Sequence, residues 1–237
     1  MANDRQQRAA RAEQMRKERA KADKKQRNLI TLGIVGVVAV LVVLAGFAIT
    51  SIADENAKSD ELVQPANTND DYGIVYDAAA AGDDAADADG EPVTVQIYED
   101  FLCPGCGAFE AAAGDFLQEA VASGEIQVEY RPYAFLLQQS SNEYSQRAWN
   151  AAACVVDAGG PSAFKQYHDA LFANQPQEGT AGPEDPELVA MAEDVGVTGI
   201  ESCVRQEKFT PWIEDAREQG TDDGVRGTPT VRVDGED

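Results

Sequence analysis

Apolar and polar positions along this 237-residue chain change their period several times, and each change predicts a different element. The first apolar feature is a block. Residues 28–53 carry no charge and run through LITLGIVGVVAVLVVLAGFAIT. About 20 apolar residues in a helix cross a hydrocarbon core, so 29–53 predicts a transmembrane helix. Strict alternation begins only at Val93, where VTVQIY predicts a half-buried strand over 93–98. An Ala-rich run with Phe109, Phe116 and Leu117 predicts a helix over 108–122, stopped by Gly124. Residues 126–130 alternate again as a second strand.

From Ser141 to about Asp222 the apolar period lengthens to 3.6. Tyr144, Ala148, Ala151, Ala152 and Val155 mark one helical face. Phe164, Tyr167, His168 and Leu171 mark a second, and Leu188, Met191, Ala192 and Val195 a third. Thr198 with Glu201 three residues on reads as a capping box, and Thr210 followed by Pro211 as an N-cap and first helical position. After Gly227 the segment 228–233 is strand-like. The order is strand, helix, strand, a helical block over about 141–222, then strand.

Charge divides the chain at the apolar block. Residues 1–28 hold ten Lys/Arg against four Asp/Glu, a net of +6. The whole chain carries −23, so the remainder carries −29. A basic flank before an apolar helix, with Asp54 and Glu55 after it, predicts a cytoplasmic leader over 1–28 and an extracytoplasmic body. A cleaved signal peptide ending near Ala53 is the rival, disfavoured by the length of the apolar run and of the leader. Residues 54–90 hold eleven acids and one Lys, and read as an acidic flexible linker. Within it only 72–76 (YGIVY) has the pattern of a short edge strand. So acidic a body repels nucleic acid, which is excluded as a partner.

Four cysteines outside the membrane sit where thiols pair. Cys103-Pro104-Gly105-Cys106 falls between the first strand and the helix after it. Helix N-terminal amides stabilise a thiolate, so Cys103 is the candidate nucleophile and Cys106 its resolving partner. Half of a zinc site and a small structural disulfide are the other readings of such a pair. Zinc would take two further ligands, and the chain has one histidine. His168 lies on an apolar helical face and is expected as a packed, hydrogen-bonded core residue. No metal site and no organic cofactor are expected.

The segment Tyr98-Glu99-Asp100-Phe101-Leu102-Cys103-Pro104-Gly105-Cys106, with Phe109 after it, resembles the active-site segment of DsbA-like thioredoxin-fold proteins. Gly227-Thr228-Pro229-Thr230 resembles their cis-proline loop, and Tyr167-His168-Asp169-Ala170-Leu171-Phe172 a segment of their inserted helical domain. The likeness spans about 91–233 and, with the apolar anchor, is to the membrane-anchored actinobacterial type. It implies an α/β thioredoxin fold with a helical insertion over a domain at 91–237, and protein disulfide oxidoreductase activity on exported cysteine-containing proteins. A DsbB-like or vitamin K epoxide reductase-like membrane protein would be the redox partner. Cys103 and Cys106 would be catalytic, with Pro229 cis and the Thr228 backbone offered to substrate. An oxidase is the expected direction. A reductase or isomerase on the same fold, and a non-catalytic module with a structural CxxC bridge, are the alternatives.

Three further expectations come with the likeness. Many DsbA proteins carry His where this chain has Gly105, which implies a weaker oxidant here. In an oxidising compartment Cys154 and Cys203 are expected to bond to each other, as second disulfides do in actinobacterial relatives; two free buried cysteines are the alternative. The strand and helix that usually follow the cis-proline strand are not found before Asp237, so the chain reads either as a fragment or as a fold with an exposed edge.

Overall fold

The computed structural model describes residues 62–82 and 91–236. The leader expected over 1–28 and the membrane helix expected over 29–53 lie outside the described residues.

Four strands form one sheet: β1 (Ile74–Tyr76), β2 (Val93–Glu99), β3 (Ile126–Pro132) and β4 (Thr230–Val233), in the order β1-β3-β2-β4. β2 and β3 are parallel, with Val93 opposite Ile126 and Glu99 opposite Pro132. Parallel neighbours need a crossover, and helix α2 supplies it. β4 runs antiparallel to β2 and sets Thr230 opposite Tyr98. This register decides the site, because it brings the residues just before Thr230 alongside those just after Tyr98.

The helices are α1 (Ala78–Ala81), α2 (Pro104–Ala122), α3 (Tyr144–Ala173), α4 (Asp185–Asp194), α5 (Glu201–Arg205) and α6 (Thr210–Asp222). α2 opens at Pro104, one turn before the expected start, since Pro is suited to a first turn where its missing N–H leaves nothing unpaired. α3 breaks at Gly160, whose φ of 76° leaves the helical region, and Pro161 opens its second half. Residues 144–222 form the helical insertion, and its apolar faces meet the sheet in one core. Ile97, Phe101, Trp149, Phe164, Tyr167 and Leu171 are all fully buried there.

Local signals were less reliable than the periodicity. Thr198 does not cap a helix: α5 begins only at Glu201, with Ile200 as its N-cap and no side-chain cap. Thr210 is itself the first residue of α6, with Phe209 before it as N-cap, and the Thr210 hydroxyl is buried without a partner. A capping box does occur at α4, where Glu184 and Glu187 cap each other's backbone.

The flexible linker expected over 54–90 also needs correction. Residues 62–82 are packed on the fold, beyond the short strand that the pattern allowed. β1 pairs antiparallel with β3, and Ile74 is fully buried. Asn67 donates to the Val156 carbonyl at 3.0 Å, Tyr72 hydrogen-bonds Asp215, and Arg131 donates to the Asp71 carbonyl at 2.8 Å. The segment therefore ties the sheet to the insertion. A handful of specific partners far away in sequence offsets its chain entropy, which composition does not reveal.

Candidate active site

The dithiol sits where β2 hands over to α2. Cys103 is the N-cap of α2 and is 7% exposed, while Cys106 lies inside the first turn and is fully buried. Pro104 and Gly105 between them are exposed. Both cysteines are free thiols. The Thr228–Pro229 peptide is cis, and the Cys103 thiol donates to the Thr228 carbonyl oxygen at 3.4 Å. A Cβ added to Gly105 would meet Pro229 Cδ at 3.4 Å and Cys103 Sγ at 3.6 Å, so the loop and the dithiol face each other across this glycine. Burial, followed by the charge of Glu99, pushes the Cys106 thiol well above its ordinary value of 9.0. The two sulfurs thus differ in access.

The turn that presents Cys103 is built by Asp100. Its carboxylate accepts the Leu102 N–H at 2.9 Å, the Phe135 N–H at 2.9 Å and the Leu136 N–H at 3.0 Å. The side chain is fully buried, and that burial pushes its carboxyl above the usual range against the pull of these hydrogen bonds. The motif marked Asp100 without giving its role. Gln175, which the motif did not mark, lies just beyond α3 and donates both amide hydrogens to the turn, to the Phe101 carbonyl at 3.0 Å and the Cys103 carbonyl at 2.9 Å. Gly107 makes room for it, since a Cβ there would lie 2.5 Å from Gln175 Oε1.

Behind Cys106 lies a second polar group that sequence reasoning missed, apart from the expected burial of His168. The His168 ring is fully buried among Phe101, Tyr130, Phe164 and Phe172, with Nε2 2.7 Å from Glu99 Oε1 and Nδ1 3.0 Å from Asp169 Oδ1. Burial alone would lower its pKa, but the negative charge of Glu99 and the bonds to Asp169 and Glu99 raise it to about 9. Glu110, one turn after Cys106 on α2, is raised to about 7 by burial and by Glu99. The spacing of Cys106 and Glu110 could have flagged the latter as sharing a helical face. Nothing in the sequence marked Glu99 as its neighbour.

Cys154 and Cys203 are joined by a disulfide that ties α3 to α5. Of the six residues singled out by sequence, the structure brings together Cys103, Cys106, Thr228 and Pro229. It separates Cys154 and Cys203 as their own pair.

The family model for thioredoxin matches residues 79–237. The chain belongs to the thioredoxin family, among its DsbA-like thiol–disulfide oxidoreductases. It is similar to the reduced structure of DsbA from Mycobacterium tuberculosis, with 31% identity over 70% of this chain and 83% of that one and a TM-score of 0.58. Reduced DsbG from Mycobacterium tuberculosis is 31% identical over 76% of this chain and 83% of that one, also with a TM-score of 0.58. MdbA, a thiol-disulfide oxidoreductase from Actinomyces oris, is 25% identical over 76% of this chain and 85% of its own, with a TM-score of 0.57. Among curated proteins the chain is 37% identical over 120 residues to the serine/threonine-protein kinase PknE of Mycobacterium tuberculosis. That match covers 48% of this chain and 21% of the kinase, so the chain corresponds to about a fifth of that relative.

Proposed function

We propose that this chain is an anchored, extracytoplasmic disulfide oxidase for exported proteins, with Cys103 and Cys106 as its redox pair. The observation that carries the reading is the pairing of a marginally exposed Cys103 at a helix N-terminus, 3.4 Å from the carbonyl before cis-Pro229, with a fully buried Cys106. The apolar run over 29–53 and its basic flank support the location.

The exchange runs from the disulfide form. A substrate thiolate attacks Cys103 Sγ, the Cys103–Cys106 bond breaks, and its electron pair leaves on Cys106, which takes up a proton. The raised pKa of Cys106 keeps that sulfur protonated once it has left. A second substrate thiolate then attacks the substrate sulfur of the mixed disulfide and expels Cys103. The substrate has lost two electrons and two protons, and the pair has gained them. The Thr228 backbone beside Cys103 would hold the substrate chain by strand-like pairing. Thiol exchange calls for no organic cofactor, but turnover calls for a membrane partner that reoxidises the pair, of DsbB-like or vitamin K epoxide reductase-like chemistry.

Two measurements on the full chain test this. The Cys106→Ser protein, expressed in the membrane, should trap exported cysteine-containing proteins on Cys103 as mixed disulfides, and the wild-type pair should be mainly oxidised in the cell. A mainly reduced pair would assign the fold to reduction or isomerisation instead. Trapping of nothing would leave a non-catalytic binding module.

A further inference from the structure

The strongest unexplained chemistry lies behind the dithiol, where β2, α2 and α3 converge. Glu99, Glu110 and His168 each present one ligand atom within 4.8 Å of the other two. Glu99 is fully buried, and its Oε2 has no hydrogen-bond partner; Glu110 Oε1 is likewise buried and unpaired. Unpaired carboxylate oxygens in an apolar surround are costly, and two from different elements share this one. His168 supplies the third group with its orientation already set. Asp169 holds Nδ1 at 3.0 Å and would keep a proton there, so that Nε2 can turn its lone pair to an ion that displaces its own proton. A carboxylate behind the distal ring nitrogen is the usual outer partner of a metal-bound imidazole. Lys165 in turn holds Asp169 at 2.5 Å.

We propose that Glu99, Glu110 and His168 form a binding site for one divalent transition-metal ion of the zinc type. Two carboxylate oxygens and one imidazole nitrogen are a donor set that such ions accept, with bonds of about 2.0–2.2 Å and hence donor separations of roughly 3 Å. The three donor atoms lie within 4.8 Å of one another; around an ion, His168 Nε2 and Glu99 Oε1, now 2.7 Å apart across their hydrogen bond, would part slightly while Glu110 closes the triad. Charge is compatible with this. Glu99, Glu110 and Asp169 carry three negative charges against two positive ones on Lys165 and the protonated His168, and a divalent cation that displaces the His168 Nε2 proton brings the group to neutrality. Glu110 is the half-buried member and offers the way in from solvent. The ion would join the strand that leads to Cys103, the helix that carries Cys106 and the helical insertion. No local pattern marks it, because its three donors are spread over 69 positions and the one histidine argued against a metal. The inference does not depend on the direction of thiol exchange.

The test uses the purified full chain in detergent, oxidised so that no thiol competes, with Zn2+ as the probe. Calorimetry should show one site per chain, and the melting temperature should rise with added Zn2+. Glu110→Gln, a change at a half-buried position that the fold tolerates, should weaken that site at least tenfold and abolish the melting shift. The Cys103→Ser/Cys106→Ser protein, altered outside the triad and without a competing thiol, should retain both. With Co2+ in place of Zn2+, visible ligand-field bands should appear without thiolate charge transfer. Absence of a stoichiometric site, or equal Zn2+ affinity in Glu110→Gln, overturns the proposal: the two carboxylates then share a proton instead, and an infrared carboxylic-acid band lost in Glu110→Gln would register it.

Discussion

Gln175 lies 72 residues beyond Cys103 and donates a side-chain N–H to its carbonyl oxygen at 2.9 Å. The same amide group donates to Phe101, so one residue at the end of α3 fixes the turn that presents the nucleophile. The helical insertion is thus a direct support of the dithiol.

Replacing Gln175 by Ala should therefore loosen the site more than the fold. Loss of two hydrogen bonds predicts about 1–2 kcal/mol of destabilisation. The reduction potential should move as well, because the Cys103 backbone is no longer held. Equilibration with glutathione measures this, and an unchanged potential beside a lowered melting temperature would make Gln175 a stability residue alone.

Gly105→His should make the pair a stronger oxidant. A Cβ at this position has ordinary contact distances to Pro229 and Cys103 Sγ, so the imidazole can sit beside the sulfur without rebuilding the loop. A cationic or donor ring there favours the reduced form. A tenfold change in the glutathione equilibrium, about 30 mV, is the expected size. A shift toward a more reducing pair would contradict this account of the glycine.

Stability of the reduced protein should fall at alkaline pH through Cys106. The folded state raises this thiol above its ordinary 9.0, so its contribution is fully present below pH 9. As pH rises further, the unfolded chain releases the proton while the folded chain keeps it. The contribution is then lost at up to about 1.4 kcal/mol per pH unit until the folded group itself titrates. Urea unfolding of the reduced wild type and of Cys106→Ala, at about pH 8 and about pH 10, should differ in slope by this amount.

Asp100→Ala should destabilise the chain severely. Three backbone N–H groups, from Leu102, Phe135 and Leu136, lose their acceptor. Each buried orphan costs about 1–3 kcal/mol, so a loss of at least ~2 kcal/mol in chemical denaturation is expected. Asp100→Asn should recover part of it, since an amide oxygen still accepts but its NH2 faces donors. Equal losses in the two variants would mean that the carboxylate is not what holds the turn.

Gly73→Ala should release the segment over 62–82 from the sheet. An added Cβ would lie 2.0 Å from Glu129 Oε1, and Glu129 cannot retreat without giving up Arg131 at 2.9 Å and Gln96 at 2.8 Å. Overpacking of this kind costs about 1–3 kcal/mol. Faster amide exchange over 69–76, with the dithiol region unchanged, is the expected signature.

Much of this architecture was legible in the chain because it depends on nearest-neighbour patterns. Alternation at Val93 and Ile126 gave the two central strands, and the 3.6 period after Ser141 gave the insertion. The Cys-Pro-Gly-Cys spacing marked the dithiol. Signals of one or two residues failed at Thr198 and Thr210, neither of which stands at a helix N-cap. The pattern at 72–76 marked the short strand that pairs with β3, but acidic composition hid the packing of Asn67, whose partner Val156 is far away in sequence.

By itself, then, the sequence determined the elements, the order of motifs and the chemistry of the cysteine pair, since period and spacing are local properties. Tertiary structure alone decided what surrounds that pair. The antiparallel register of β4 on β2 sets Thr228 against Cys103, the end of α3 brings Gln175 to the same turn, and the closure of α3 over β2 and α2 joins His168 to Glu99 and Glu110. Those contacts depend on how elements cross in space, and no local pattern records a crossing.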